Sequence, residues 1–139
     1  MTQAPVMPTP TLMSQELIYQ VLYDSLALAD SILQIWITIT FAVIVATYFA
    51  GSRVGPVMHR LVSSLYGLYA AVLITRYGSS AFQIFHYRNV LVERGFEPWP
   101  VPYGVAAVIG SGTFILMFAG TLATLWFMRW TRKEVEPGR

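Results

Sequence analysis

Between residues 104 and 128 the chain runs for 25 residues without one Asp, Glu, Lys or Arg. A helix rises about 1.5 Å per residue and the hydrocarbon core of a bilayer is about 30 Å thick, so such a run crosses it. The rest of the composition agrees. Charged residues make up 12% of the 139 residues and apolar ones 55%, where a soluble domain carries about 25% charge. A small fold has more surface per volume to solvate than a large one, which makes this deficit harder to reconcile with water. The mean hydropathy is +0.55. These figures exclude a disordered chain and a nucleic-acid module. The lack of cysteine excludes a disulfide scaffold, thiol redox chemistry and Cys-ligated metal.

Two further apolar runs precede this one. Residues 1–13 hold three prolines and no charge, and read as an extended, mobile tail without the basic and apolar regions of a signal peptide. Ser14 is a helix N-cap, with Glu16 in the first turn where the helix dipole favours it. No Gly or Pro follows until Gly51, and the resulting helix of roughly 55 Å is longer than a bilayer core. Residues 31–52 carry no charge and form the first span. Asp24 and Asp30 place the stretch before it outside, as an extramembrane extension of the same helix. After a short turn, Pro56 suits the first position of a second helix. Its uncharged part, residues 61–75, covers only about 23 Å, so the span, about 57–78, uses snorkelling by Arg60 and Arg76 or runs on past Arg76.

The triplet Gly78-Ser79-Ser80 then reads as a break. Residues 81–94 form an amphipathic helix in the second loop, lying on the interface or continuing the second helix. Pro98, Pro100 and Pro102 impose an extended segment before the third span, residues 104–128. The expected fold is an all-α, integral membrane three-helix bundle, a single transmembrane domain over residues 14–139. Lys and Arg number six in the first loop and C-terminus, against three in the N-terminal tail and second loop. This asymmetry puts the N-terminus outside and the C-terminus inside. Trp126 and Trp130 beside Arg129 then mark the inner aromatic belt, and Trp99 and Tyr103 the outer one.

Each span carries small residues four apart, the spacing at which membrane helices pack closely. These are Ala42, Ala46 and Ala50; Ser63, Gly67 and Ala71; Ala106 and Gly110; and Gly120 and Thr124. They serve packing within the bundle or docking of another subunit. A second stripe, Gln20, Asp24, Ala27, Ser31, Gln34 and Thr38, alternates steps of four and three along the first helix. Gln34 and Thr38 are costly against lipid, so the stripe faces protein or water. It either hydrogen-bonds another helix, with Gln83 or Arg76 as partners, or contributes a polar vestibule to a permeation path. Arg76 is a functional candidate by its place near the membrane, with Asp24 and Asp30 as possible partners. His59 and His86 fall at opposite surfaces, which weighs against a bis-His haem, so no cofactor is expected. No metal-ligand spacing, nucleophile elbow or phosphate loop is present, and no catalytic residue is assigned.

The run QIWITITFAVIVATYFA (residues 34–50) followed by GSRVGP resembles the first span of small, mostly uncharacterised three-span inner-membrane proteins of bacteria. The likeness covers the first half of the chain. It implies location in the bacterial inner membrane and no particular activity. The plan is also similar to class I phage holins in its three spans, orientation and basic tail. The chain departs from them in its polar-striped extension and its aromatic-rich second loop. The sequence therefore points to a small structural or accessory membrane protein, in contact with the lipid bilayer and assembling with itself or a partner membrane subunit. The alternative is an oligomeric, holin-like channel or pore.

Overall fold

The computed structural model describes residues 13–50, 53–98 and 101–135, and among these it is all-helical. Three helices follow in order, α1 (Gln15–Ala50), α2 (Pro56–Glu93) and α3 (Tyr103–Val135). The tail expected over residues 1–13 lies outside the described residues except for Met13, whose carbonyl accepts a hydrogen bond from Arg94 Nη1 at 3.0 Å. Trp99 also lies outside them.

Local chemistry sets the helix ends. Ser14 Oγ accepts the Leu17 N–H at 3.3 Å, satisfying one of the free amides of the first turn of α1. Pro56 occupies the first turn of α2, where its missing N–H leaves no partner unsatisfied. That helix ends just before Gly95, whose φ of +82° places it in the left-handed region. The Phe96 N–H then reaches Leu91 O at 3.0 Å and the Gly95 N–H reaches Val92 O at 2.9 Å, satisfying two terminal carbonyls.

The expected break at Gly78-Ser79-Ser80 does not form. α2 runs through it unbroken for 38 residues, and residues 81–93 continue the second helix, with Arg94 as its C-cap. Gly costs a helix about 1 kcal/mol relative to Ala, a weak preference that packing overrides. Here Ser80 is buried, and a Cβ at Gly78 would lie 3.6 Å from the Phe114 ring of α3.

The core lies between the helices along stripes of three- and four-residue steps. α1 contributes Ile18, Leu22, Ala29, Ile32 and Trp36; α2 contributes Tyr66, Ala70, Leu73, Tyr77, Ile84 and Leu91; α3 contributes Met117 and Met128. Side-chain pairs fix the register. Ser25 meets Gln83 and Thr40 meets Tyr66, so α1 and α2 run antiparallel. Trp36 meets Thr121, which sets the level of α3 against α1, and α3 runs antiparallel to α2 and so parallel to α1. His59 meets Met128, and Phe85 meets Tyr103. Residues 104–128 of α3 therefore lie level with about residues 20–44 of α1 and 62–86 of α2.

This register staggers the uncharged runs. All three helices are charge-free together only over about residues 31–44, 62–75 and 115–128, a slab of about 21 Å against the roughly 30 Å of a bilayer core. The remaining thickness takes in the level of Asp30 and Arg76 at one end, or that of Arg60 and Arg129 at the other. The arginines can carry their charge to the surface on long stems. Asp30 is too short to do so.

Candidate functional site

The polar stripe of α1 stands on the opposite side of that helix from the core. Gln20, Asp24, Ala27, Ser31, Gln34 and Thr38 are all exposed, while Ile18, Leu22, Ser25, Ala29, Ile32, Trp36 and Thr40 are buried. The two sets sit about half a turn apart at 3.6 residues per turn.

Within the stripe, local bonds satisfy the hydroxyls. Ser31 Oγ donates to Ala27 O and Thr38 Oγ1 to Gln34 O, both at 2.8 Å. This back-bonding lets Ser and Thr face lipid at low cost. The Gln34 amide donates one N–H to Asp30 Oδ2 at 2.8 Å. A carboxamide has a second N–H and an acceptor oxygen, and a carboxylate has several lone-pair sites, so both side chains keep unused hydrogen-bonding capacity. The bonds made by this stripe stay within α1, and neither Gln83 nor Arg76 joins it. Gln83 Oε1 lies instead 3.4 Å from Ser25 Oγ, on the core side.

Arg76 is exposed and level with about Asp30 on α1 and Phe114 on α3. Among the described residues no ion pair joins it to Asp24 or Asp30.

The small residues divide by what they touch. At Gly120 a Cβ would fall 2.7 Å from Trp36 Cη2, so the Trp36 ring packs directly on the α3 backbone there. Thr124 is buried one turn on, donating to Gly120 O at 2.8 Å. Gly67 faces Leu125, and Ser63 Oγ lies 3.8 Å from Met128 Sδ. A Cβ at Gly110 would meet nothing within 4 Å, and Ala106 beside it is half-buried. Ala42, Ala46 and Ala71 are exposed, the neighbouring Ala70 taking the buried place in α2. Ala42 and Ala46 line a cavity of about 370 Å³ with His59, Val62 and Met128.

Three polar contacts across the bundle were not legible as pairs. Trp36 Nε1 donates to Thr121 Oγ1 at 3.0 Å, the Thr40 and Tyr66 hydroxyls meet at 3.0 Å, and His59 Nε2 lies 3.0 Å from Met128 O. The last requires the proton on Nε2, because a carbonyl can only accept. One signal was available: Trp36 and Thr40 continue the core spacing from Ile32. His86 is exposed near the other end of α2, 27 positions or about 40 Å from His59 along the helix. No three His, Asp or Glu side chains among the described residues group as a metal site would need.

No family model, curated protein or solved structure matches this chain. Its class rests on its own helices. All three are long and apolar enough to cross a membrane, which makes it a small multi-pass membrane protein.

Proposed function

We propose that this protein is a structural or accessory subunit that assembles in the plane of the membrane, with itself or with a partner membrane protein. The observation that carries the reading is the exposed polar stripe of α1. Gln34, Asp30 and Thr38 lie level with the apolar run of α3, yet the bundle offers them no neighbouring helix. Hydrogen bonds between membrane helices contribute about 0.6–2 kcal/mol each, and Gln34 with Asp30 supplies donors and acceptors for several.

The intact mass of the protein extracted in mild detergent tests this. A complex of defined stoichiometry that Gln34→Leu dissociates is the expected result. A monomer in both forms overturns the reading. The same stripe supports a second reading, an oligomeric channel in which these polar groups face water. Ion flux in liposomes that responds to Gln34→Leu or Arg76→Ala separates it from plain assembly.

The excess of Lys and Arg in the first loop and C-terminus supports an N-terminus outside and a C-terminus inside. The likeness of residues 34–50 to bacterial inner-membrane proteins supports that membrane as its location.

A further inference from the structure

At the end of the bundle where α2 passes into α3, Arg88 carries a buried Nε with no hydrogen-bond partner. Its guanidinium carbon lies 4.5 Å from the centre of the Tyr103 ring, and its Nη1 meets Asn89 Oδ1 only at 3.4 Å. A cavity of about 360 Å³ opens beside it, walled by Arg88, Glu97, Pro98, Pro102 and Tyr103 among others. That volume falls in the range of about 300–1,000 Å³ typical of small-molecule sites. A cation and an anion thus border one space without pairing with each other.

Two apolar grooves adjoin this cavity. One, of about 270 Å³, shares Val101 with it and passes between the three helices by Leu26 and Ala106. The other, of about 440 Å³, shares Tyr103 and follows the outer seam of α2 and α3 by Ala107 and Ser111. Phe85 and Gly110 border both. The missing side chain at Gly110 leaves open space there. Tyr103 immediately precedes the uncharged run of α3. The polar cavity lies outward of the level of Asp30 and Arg76, and both grooves run from it toward that level and the charge-free slab.

We propose that this region binds one diacyl phospholipid whose headgroup is zwitterionic with a primary amine. Arg88 takes the phosphate, Glu97 takes the ammonium, and each groove takes one acyl chain. Guanidinium suits phosphate because it offers several N–H donors in a fixed plane. Glu97 repels a purely anionic headgroup, and a quaternary ammonium has no N–H to donate to it. A free phosphate ester would satisfy the polar contacts but leave the grooves empty. The proposal does not depend on the assembly reading above.

The test is native mass spectrometry of the full chain in mild detergent, supplied in turn with phosphatidylethanolamine, phosphatidylglycerol and phosphatidylcholine. The wild type retains one phosphatidylethanolamine per chain in preference to the other two. Arg88→Gln lowers retention about tenfold, the order expected for losing a charge-assisted hydrogen bond. Gly110→Phe, which fills both grooves, lowers it with the headgroup contacts intact. Glu97→Gln, at an exposed position, abolishes the preference over phosphatidylglycerol, and this can be read even if Arg88→Gln fails to fold. Free phosphoethanolamine at millimolar concentration does not displace the lipid. Equal retention of all three lipids by the wild type overturns the proposal. So does unchanged retention by folded Gly110→Phe, or displacement by phosphoethanolamine, which would mark a site for small phosphate esters.

Discussion

Trp36 fits against α3 because residue 120 has no side chain. The indole edge occupies the place a Cβ would take, 2.7 Å from Cη2 and 2.9 Å from Cζ2, while Nε1 donates to the neighbouring Thr121. In lipid, where apolar burial drives no association between helices, close packing and an interhelical hydrogen bond are what hold α1 to α3. Trp36 is 7% exposed, so its ring has little room to withdraw.

Gly120→Ala therefore forces a shift of a rigid ring or of the two helices. The expected cost is about 1–3 kcal/mol, the range for overpacking a well-filled core. Thermal unfolding in detergent measures it. Gly110→Ala is the control, since its new methyl meets open space, and it should be neutral or stabilising by up to about 1 kcal/mol through helix propensity.

The Thr40–Tyr66 pair joins α1 to α2 with both residues buried. Tyr66→Phe removes one hydroxyl and leaves the other without its partner, at an expected cost of about 0.5–1.5 kcal/mol. The double variant with Thr40→Val should be less destabilised than the sum of the two single changes. A double-mutant cycle on unfolding measures this coupling.

Gly95, just past the end of α2, takes a left-handed conformation with open space where a Cβ would lie. Gly95→Ala meets no steric neighbour and tests backbone strain alone, about 1–2 kcal/mol. Hydrogen exchange should show the loss concentrated in the last turn of α2, around residues 90–95.

Because the chain has no cysteine, single introduced cysteines report sidedness cleanly. Glu16→Cys and Glu97→Cys should label from outside intact cells, and Arg53→Cys only after permeabilisation. The opposite pattern would reverse the orientation drawn from the Lys and Arg count.

Much of the architecture was legible in the chain itself. Uncharged runs, the cap at Ser14 and the proline at 56 are local signals, and membrane helices answer to them strongly because lipid leaves the backbone no other partner. The Gly78-Ser79-Ser80 triplet misled because glycine and serine are weak helix breakers when both sides of the triplet are packed. The polar stripe of α1 was visible as a spacing, but a spacing has no direction. Whether it faced Gln83 and Arg76 or turned outward depended on where Trp36, Thr40 and Ser25 found their partners.

The amino-acid sequence by itself determined that three apolar helices cross a membrane, because charge and peptide solvation in hydrocarbon are decided residue by residue. Only the tertiary structure decided how they sit level with one another. Register comes from pairwise fits such as Trp36 on Gly120 and Thr40 on Tyr66, made between residues far apart in the chain. Those fits carry Asp30 and Arg76 to the same depth, turn Gln34 away from the core, and leave Arg88 beside an open cavity.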